Sequence, residues 1–402
     1  MTAIEQLTGA VELVLKPGEE DRVVAGHYWV FSNELAAVPK DAEPGSLAVA
    51  RTSEGKILGV GFFNPRSLIA FRLLSRSPDP VGKEFFRKRF QEALSLRSAQ
   101  VPGERSFRLC FGESDGLPGL VVDKFEDVLV AQVLAAGMER RLGEIQEILL
   151  EKLKPKGIYL RNDHPSRELE GLPLESRVLW GEVPERLVIE EAGLKYSCSP
   201  SKGQKTGFYF DQRDNRAALA PFFKGRTVLD LHCYTGAFAL NAARHGAVRV
   251  LGVDSSEEAL ELAEENARLN GLEDRCSFQQ GDAEEAIGSS AETGGADKAD
   301  MILLDPPSFA HSRKQLPKAL RGYARLNSKA LQALPRGGIL ATSTCSHHVS
   351  REDFVSMLRA AAGKAGRTVR LVELRGQAKD HPVLLAMPET EYLHFAILEV
   401  VR

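Results

Sequence analysis

The chain has 402 residues, a formal net charge of −3 and a hydrophobic fraction of 43%, the size and composition of two or three soluble domains. The near-neutral charge excludes a strong overall attraction to nucleic acid, so RNA contacts would need local basic patches. The five cysteines form no C-x-x-C pair, which argues against a zinc site or disulfide framework and favours a cytoplasmic location. No apolar run approaches 18 residues, so no membrane segment is expected.

Residues 1–75 are predicted to form a small β-rich domain. Short apolar runs alternate with turn pairs such as Pro17-Gly18, the pattern of strands joined by tight turns. The aromatic residues within 27–31 suit base stacking, although burial in a small barrel is the commoner explanation.

Residues 76–190 are predicted to hold a linker helix and a central α+β domain. The helix, at 78–98, is the most basic segment of the chain, which suits either an RNA contact or a solvated helix face. Three strands and a helix with apolar residues at helical spacing follow it. This region shows no catalytic constellation.

From 191 to 402, strand and helix alternate, which predicts a doubly wound sheet. Its central stretch is 227–238, where a buried strand, a turn with Gly236 and a helix N-terminus follow one another and would direct backbone N–H groups at a ligand. Gly236 is expected to let the backbone approach that ligand, because a Cβ there would collide with it. One glycine in place of three disfavours a pyrophosphate and favours an adenosyl ligand.

Acidic residues are expected at the ends of three successive strands of this region. Asp230 belongs to the first, Asp254 ends the second and Asp282 follows the third. Asp254 is placed to accept hydrogen bonds from ribose hydroxyls, and Asp282 to contact an adenine amino group. Helix capping explains any one of these acids, but less easily all three.

Asp305 ends the fourth strand and Cys345 the fifth, so both are expected at the edge where ligands bind. A thiolate that adds to C6 of a pyrimidine makes C5 nucleophilic toward an electrophilic methyl group, and a carboxyl group at N3 assists the addition. Polar neighbours of Cys345 favour this role over simple burial. Pro306 and Pro307 would hold Asp305 rigid.

Other residues near these strand ends leave alternatives open. Ser308 either contacts the base or caps the segment that follows it. His347 and His348 either orient the site or contact RNA, and without a third ligand they do not indicate a metal. For Cys233, as for Cys110, structural packing is the preferred interpretation of the thiol.

The scaffold of this region carries further expectations. Residues 284–298 are of low complexity and are expected to form a loop. Helices are predicted at 317–334 and at 350–364, the second with a capping box. The last strand, within 392–400, is expected at an antiparallel edge of the sheet.

The motifs DLHCYTGAF, LLDPPSF, TSTCS and GQKTGFYFDQRDNR resemble those of RlmI-like class I S-adenosylmethionine-dependent methyltransferases, which make 5-methylcytosine in large-subunit (23S) ribosomal RNA. Upstream, LKPGEEDRVVAGHYWVFSNEL resembles that family's PUA domain, and FGESDGLPGLVVDKFEDVLVAQ its central domain. The resemblance implies an α/β fold whose C-terminal methyltransferase domain, 191–402, has a Rossmann-like doubly wound sheet. A PUA-like RNA-binding domain, 1–75, and a central α+β domain, 76–190, would precede it.

The resemblance also implies roles for single residues. Cys345 would attack cytosine C6, and Asp305 would engage the base. The residues implied for S-adenosylmethionine are Asp230, Cys233, Tyr234, Thr235, Gly236, Asp254, Ser255, Asp282 and Tyr209, and those implied for the substrate are Pro306, Pro307 and Ser308. The implied partner is 23S ribosomal RNA or a pre-ribosomal particle, with a homodimer as a further expectation and no metal.

One departure concerns release of the product. Many RNA 5-methylcytosine enzymes carry a second cysteine where this chain has Ser308. Within the RlmI-like branch a non-cysteine is expected. A water or a nearby side chain would then remove the C5 proton.

Two alternatives stay open at this point. An exocyclic amino methyltransferase acting on adenine N6, guanine N2 or cytosine N4 has a similar D-P-P-x motif and needs no cysteine, so Cys345→Ala discriminates it. A non-catalytic RNA-binding assembly factor is disfavoured, because Asp230, Asp254 and Asp305 occur together with Cys345.

Overall fold

The computed structural model describes residues 9–77, 80–203, 206–292, 298–310 and 312–402, and the chain divides into two compact units. Unit 1 comprises the described parts of Met1–Leu187, Ser199–Phe208 and Lys379–Thr390, and unit 2 those of Val188–Cys198, Tyr209–Ala378 and Glu391–Arg402. The boundaries 1–75, 76–190 and 191–402 stay predictions. The two segments of unit 1 beyond residue 198 interrupt unit 2 in the sequence.

The first sheet of unit 1 is built by the N-terminal strands, in the order β1-β3-β4-β5-β2. Its elements are β1 (Val11–Val14), α1 (Asp21–Val24), β2 (Trp29–Val30), β3 (Ser46–Arg51), β4 (Ile57–Phe63) and β5 (Phe71–Ser75). Leu13, Phe63 and Phe71 are buried in one cluster between these strands, as the short apolar runs predict.

The second sheet of unit 1 has the order β10-β9-β8-β7-β6. Its region contains α2 (Lys83–Gln100), β6 (Phe107–Phe111), β7 (Leu120–Phe125), β8 (Val128–Val133), α3 (Ala136–Glu139), α4 (Leu142–Leu153), β9 (Gly157–Asn162), α5 (Ser166–Leu169) and β10 (Glu175–Gly181). Phe86 and Phe90 of α2 share a core with Ile145 and Ile148 of α4. Apolar residues at helical spacing thus bury one face of each helix.

The candidate RNA-contacting residues of unit 1 are engaged within that unit. The Trp29 indole N–H donates to Glu113 at 2.7 Å, and the Arg72 guanidinium lies 5.4 Å from the Trp29 ring. On α2, Lys83 pairs with Glu147 and Arg87 with Glu151, both on α4. Packing therefore explains the Trp29 ring better than base stacking does, and two of the cations of α2 are paired with acids of α4.

Unit 2 is a doubly wound sheet, which confirms the predicted fold class. Its elements are β11 (Leu187–Glu191), β12 (Leu194–Cys198), α6 (Arg213–Ala218), β13 (Thr227–Leu231), α7 (Ala237–Arg244), β14 (Arg249–Asp254), α8 (Glu257–Leu269), β15 (Cys276–Gln280), α9 (Ala283–Glu292), β16 (Met301–Leu304), α10 (Leu316–Ala333), β17 (Ile339–Thr344), α11 (Arg351–Ala365), β18 (Val369–Arg375) and β19 (His394–Val400). Among the described residues, seven strands pair in the order β15-β14-β13-β16-β17-β19-β18.

The predicted loop at 284–298 is wrong for its first part, because α9 extends to Glu292. Asp282 Oδ1 accepts the backbone N–H groups of Glu284 and Glu285, which caps the helix start. Ile287 is 3% exposed and anchors the helix in the core. The composition of this segment does not reveal that packing. The rest of the predicted loop, residues 293–297, lies outside the described part of the chain.

The last strand is not the edge strand that the sequence predicts. β19 pairs antiparallel with β17 on one side and with β18 on the other. It is almost wholly buried, whereas no residue of β18 is buried. The capping box of α11 is confirmed: Ser350 and Asp353 exchange side-chain-to-backbone hydrogen bonds.

The described helices include none that is both long enough and apolar enough to cross a membrane.

Candidate active site

The candidate site lies where the parallel strands of unit 2 end. Leu231 of β13 pairs with Val253 of β14 on one side and with Leu304 of β16 on the other. Leu304 in turn pairs with Thr342 of β17. The residues that follow these strands therefore share one edge of the sheet, at the point where chain order reverses around β13, and such points bind ligands.

The turn at 232–236, called here the β13–α7 turn, has an unusual backbone. His232 and Tyr234 adopt positive φ angles of 60° and 50° although neither is glycine. The Tyr234 N–H donates to Asp254 Oδ2 at 2.9 Å, and the Cys233 N–H to the Val253 carbonyl at 3.1 Å. β14 thus holds the turn in a conformation that L-residues rarely adopt.

The backbone and the packing around Gly236 give a reason for glycine at this position. Its φ is +79°, and a Cβ there would lie 3.0 Å from Leu240 Cδ1 and from Phe278 Cε1. Left-handed backbone and packing inside the unit therefore already require glycine, and the collision of a Cβ with the ligand stays a prediction. Cys233 likewise faces inward, since a Cβ on Gly252 would lie 3.0 Å from its Sγ.

Asp230, in β13, is the most unusual acid of the site. It is 1% exposed, and among the described residues neither carboxylate oxygen finds a hydrogen-bond partner of normal geometry. Burial, then the negative charge of Asp305, raises the pKa of the Asp230 carboxyl well above its usual range, and the Ala239 backbone amide offsets this only in part. A buried, unpaired carboxylate calls for a cation.

Asp254 and Asp282 stand at the ends of the next two strands. Asp254 Oδ1 accepts the Ser256 N–H at 3.0 Å, so each of its oxygens is held by one backbone bond. Asp282 is exposed and caps α9 through Oδ1, which leaves lone pairs on Oδ2. Ser255 is exposed beside them, and its carbonyl accepts from Gln280 at 2.9 Å, whereas Thr235 is buried.

His232 is a site residue that the sequence analysis did not single out. Its Nε2 is buried and, in the described part of the chain, has no hydrogen-bond partner. Burial lowers the pKa of the imidazole, although the charges of Asp254 and Asp282 act in the opposite direction. The only feature of the sequence that could have indicated this neutral histidine as a site residue is its position at the start of the turn.

Two tyrosines border the turn. The rings of Tyr209 and Tyr234 meet edge to face with centroids 5.3 Å apart. Burial, followed by the charge of Asp305, raises the pKa of Tyr209, and Cys345 contributes in the same direction. Tyr209 is therefore a neutral phenol close to both the turn and the candidate catalytic pair.

Asp305 and Cys345 are brought together as predicted for neighbouring strand ends. Ser343, the last residue but one of β17, donates its hydroxyl to Asp305 Oδ1. Cys345 follows β17 directly and is the one cysteine of the described residues that is not buried. The structure thus presents a thiol and a carboxylate at adjacent strand ends, with the carboxylate oriented by a hydroxyl.

Residues 306–310 are fixed by a second set of hydroxyls. Ser308 Oγ lies 2.8 Å from Ser346 Oγ, and Ser346 Oγ lies 2.9 Å from Tyr323 Oη. Ser308 also donates to the Ala310 carbonyl at 3.3 Å, so its hydroxyl has structural partners. Pro306 is buried and Pro307 exposed.

The donor set fits an adenosyl cation rather than a metal. A sulfonium and an ammonium group would both compensate the buried Asp230 charge, and Asp254 offers acceptors to ribose hydroxyls. Within the described residues no three His, Cys, Asp or Glu side chains are arranged to hold a metal ion.

Family models match two parts of the chain. Residues 13–76 match a PUA-like domain, and residues 222–384 match a methyltransferase domain. Over the full length, the chain is 39% identical to ribosomal RNA large subunit methyltransferase I of Shewanella denitrificans, with 97% of this chain and 100% of that protein covered. The protein of the same name from Aeromonas hydrophila is 39% identical over 96% and 98%.

Solved structures show the same fold. A protein described as an S-adenosylmethionine-dependent methyltransferase from Streptococcus mutans superposes with a TM-score of 0.82 at 22% identity, over 97% of this chain and 100% of that one. A methyltransferase crystallised with S-adenosylhomocysteine gives a TM-score of 0.83 at 22% identity, with the same coverage. At this identity the likeness establishes the architecture.

Proposed function

Since the chain belongs to the family of ribosomal RNA large subunit methyltransferase I, we propose that it transfers a methyl group to C5 of a cytosine in 23S ribosomal RNA. It is an S-adenosylmethionine-dependent RNA methyltransferase, and the proposal concerns the target atom and the mechanism. The observation that carries it is the position of Cys345 and Asp305 at the ends of two adjacent strands, β17 and β16, beside the acid-lined β13–α7 turn.

S-Adenosylmethionine supplies an electrophilic methyl group. Asp230 would meet its positive charge, Asp254 its ribose hydroxyls and Asp282 its adenine amino group. The backbone from Cys233 to Gly236 would line the adenosyl group, with Ser255 and Tyr209 at its margins. Asp230 is buried and has no side-chain partner in the described part of the chain, which supports this arrangement because a bound cation compensates its charge.

The proposed reaction begins when the Cys345 thiolate adds to C6 of the cytosine, while the Asp305 carboxyl group, in its protonated form, donates a hydrogen bond to N3 and favours the addition. C5 of the adduct then attacks the methyl group, and S-adenosylhomocysteine is left. Loss of the C5 proton to water or a nearby side chain expels the Cys345 thiolate and restores the aromatic ring. Pro306, Pro307 and Ser308 would border the base.

The RNA must present this cytosine outside the base stack, because neither C5 nor C6 is accessible to the thiol and the methyl donor within it. The PUA-like match at 13–76 supports an RNA grip by unit 1. We propose 23S ribosomal RNA or a pre-ribosomal particle as partner, and the cytoplasm as the location.

We also propose a homodimer. β10 forms one edge of its sheet and exposes Val178 and Trp180, which are 47% and 40% accessible. An edge strand with apolar side chains can pair with its own copy about a twofold axis.

The experiment is mass spectrometry of ribosomal RNA incubated with S-adenosylmethionine and either the native protein or Cys345→Ala. We expect methyl on cytosine C5 with the native protein and none with the variant, because the thiol is the nucleophile. Cys198→Ala, which truncates a buried thiol in β12, is the matched control and should keep activity. Methyl on an exocyclic nitrogen, undiminished in Cys345→Ala, would instead establish an amino methyltransferase.

A further inference from the structure

The serines on either side of Cys345 are each bonded to the segment that follows β16. Ser343, two residues before the thiol, donates to Asp305. Ser346, the next residue after it, bonds Ser308 at 2.8 Å. Two side-chain hydrogen bonds therefore connect the residues around Cys345, at the end of β17, to the segment that contains Asp305.

The second of these hydrogen bonds, between Ser346 and Ser308, also involves a residue from a third element. Tyr323 of α10 is fully buried, and its Oη lies 2.9 Å from Ser346 Oγ. The same Oη accepts the Phe309 N–H at 3.0 Å and lies 3.3 Å from the Pro307 carbonyl. One phenol thus bonds both segments of the candidate catalytic pair. Ser308, Ser346 and Tyr323 together are called here the hydroxyl chain.

The hydroxyl chain is satisfied in either direction. If Ser308 donates to the Ala310 carbonyl, Ser346 donates to Ser308 and Tyr323 to Ser346. In the opposite direction Ser308 donates to Ser346, Ser346 to Tyr323, and Tyr323 to the Pro307 carbonyl. In either arrangement each of the three hydroxyl groups donates one hydrogen bond. The hydroxyl chain is therefore a continuous hydrogen-bond network rather than a single contact.

Aromatic packing around Tyr323 is separate from these bonds. Its ring stacks on Phe309 with centroids 4.4 Å apart and planes 22° apart. Burial raises the pKa of the phenol, which therefore stays protonated and able to donate. The hydroxyl group can be removed without removing the ring, which allows its role to be tested alone.

We propose that Tyr323 is a positioning residue that, through the hydroxyl chain, sets the distance between the Cys345 thiol and the Asp305 carboxylate for attack on the base. This inference rests on the proposed function, since it assumes that both groups act on one cytosine. Tyr323 touches neither group's reacting atoms in our proposal; it fixes the backbone on which they are carried. Small displacements of reacting groups lower rates steeply.

The test is Tyr323→Phe, which keeps the ring stack and deletes the hydroxyl. We expect kcat for RNA methylation to fall about 10- to 100-fold, with KM for RNA and Kd for S-adenosylhomocysteine within about twofold of the native values. Tyr196→Phe is the matched control, because it alters another fully buried tyrosine, in β12. It should leave kcat unchanged.

Ser346→Ala removes the middle of the hydroxyl chain and provides a second test. It should lower kcat to a similar extent, and the double variant with Tyr323→Phe should be no slower than the worse single variant, because both break the same chain. Fully additive losses, or a native kcat in Tyr323→Phe, would overturn the proposal. So would a loss of kcat matched by an equal loss of S-adenosylhomocysteine affinity, which indicates general damage.

Failure of this inference is distinguishable from failure of the proposed function. If Cys345→Ala still methylates cytosine C5, the thiol mechanism is wrong whatever Tyr323 does. If Cys345→Ala is inactive and Tyr323→Phe is as fast as the native protein, the mechanism stands and the positioning role is wrong.

Discussion

At the scale of single residues, burial of Asp230 makes the ionised form of its carboxyl group unfavourable in the ligand-free protein. Its carboxylate is buried beside the β13–α7 turn, and its raised pKa means that the folded state holds the proton more tightly than the unfolded state does. Stability attributable to this group is therefore present at low pH and is lost as pH rises above the unfolded pKa of about 3.9. A bound cation would reverse this loss.

Asp230→Asn should therefore stabilise the ligand-free protein by at least about 1 kcal/mol at pH 7. Its melting temperature would rise by about 2–4 °C, and the difference from the native protein should shrink toward pH 4, as differential scanning fluorimetry can measure. We expect affinity for S-adenosylhomocysteine to fall about 10- to 100-fold, because a charge-assisted bond to the ammonium group is lost.

Asp123→Asn is the contrasting control for Asp230→Asn. Asp123 is equally buried, but both of its oxygens hold Arg108, so its neutralisation should destabilise the protein. An Asp230→Asn protein that melts below the native one and binds S-adenosylhomocysteine normally would contradict our account of this residue.

At the scale of elements, α9 shows one residue serving two purposes. Asp282 caps the helix with Oδ1 and, in the proposed function, offers Oδ2 to the adenine amino group. The capping that explains Asp282 structurally therefore does not compete with its proposed role, because the two use different oxygens.

Two substitutions separate these purposes. Asp282→Ala should lower stability by about 1 kcal/mol through loss of the cap and should weaken S-adenosylhomocysteine binding. Asp282→Asn should keep the melting temperature, because its amide oxygen can still cap, but should weaken binding, because its NH₂ group would face the adenine NH₂. Calorimetric titration measures the affinities; native affinity in Asp282→Asn would exclude the adenine contact.

At the scale of the whole molecule, the net charge of −3 gives little information about RNA binding, because some cations of unit 1 are buried in ion pairs within that unit. Arg97, which is 1% exposed, is paired with Asp115, and Arg72 bridges Glu113 and Glu170. Buried pairs of this kind organise packing. RNA affinity should therefore depend on exposed cations rather than on the basic residues counted along the sequence.

The proposed homodimer makes a prediction at this scale. Light scattering after gel filtration should give the mass of two chains for the native protein and of one chain for Trp180→Asp, because a charge on the β10 edge opposes its pairing. Val248→Asp is the matched control, since Val248 is a 61% exposed apolar residue in unit 2. A native protein with the mass of one chain would exclude the dimer.

Local patterns in the sequence determined the strands of unit 2 and the residues at their ends. Apolar runs followed by polar residues placed Asp305 after β16 and Cys345 after β17, because burial and turn chemistry act over a few neighbouring residues. The start of α11 was also predictable from local sequence, since a capping box spans only the first turn of a helix.

Only the tertiary structure decided which elements are neighbours. β19 lies between β17 and β18, α9 forms where composition suggests a loop, and a Cβ on Gly236 would lie 3.0 Å from the Phe278 ring. No sequence motif marks Tyr323, and its hydroxyl reaches its hydrogen-bond partners only because α10 packs beside Ser346. These outcomes depend on contacts between residues distant in the chain, and a periodicity of two or 3.6 residues carries no information about such contacts.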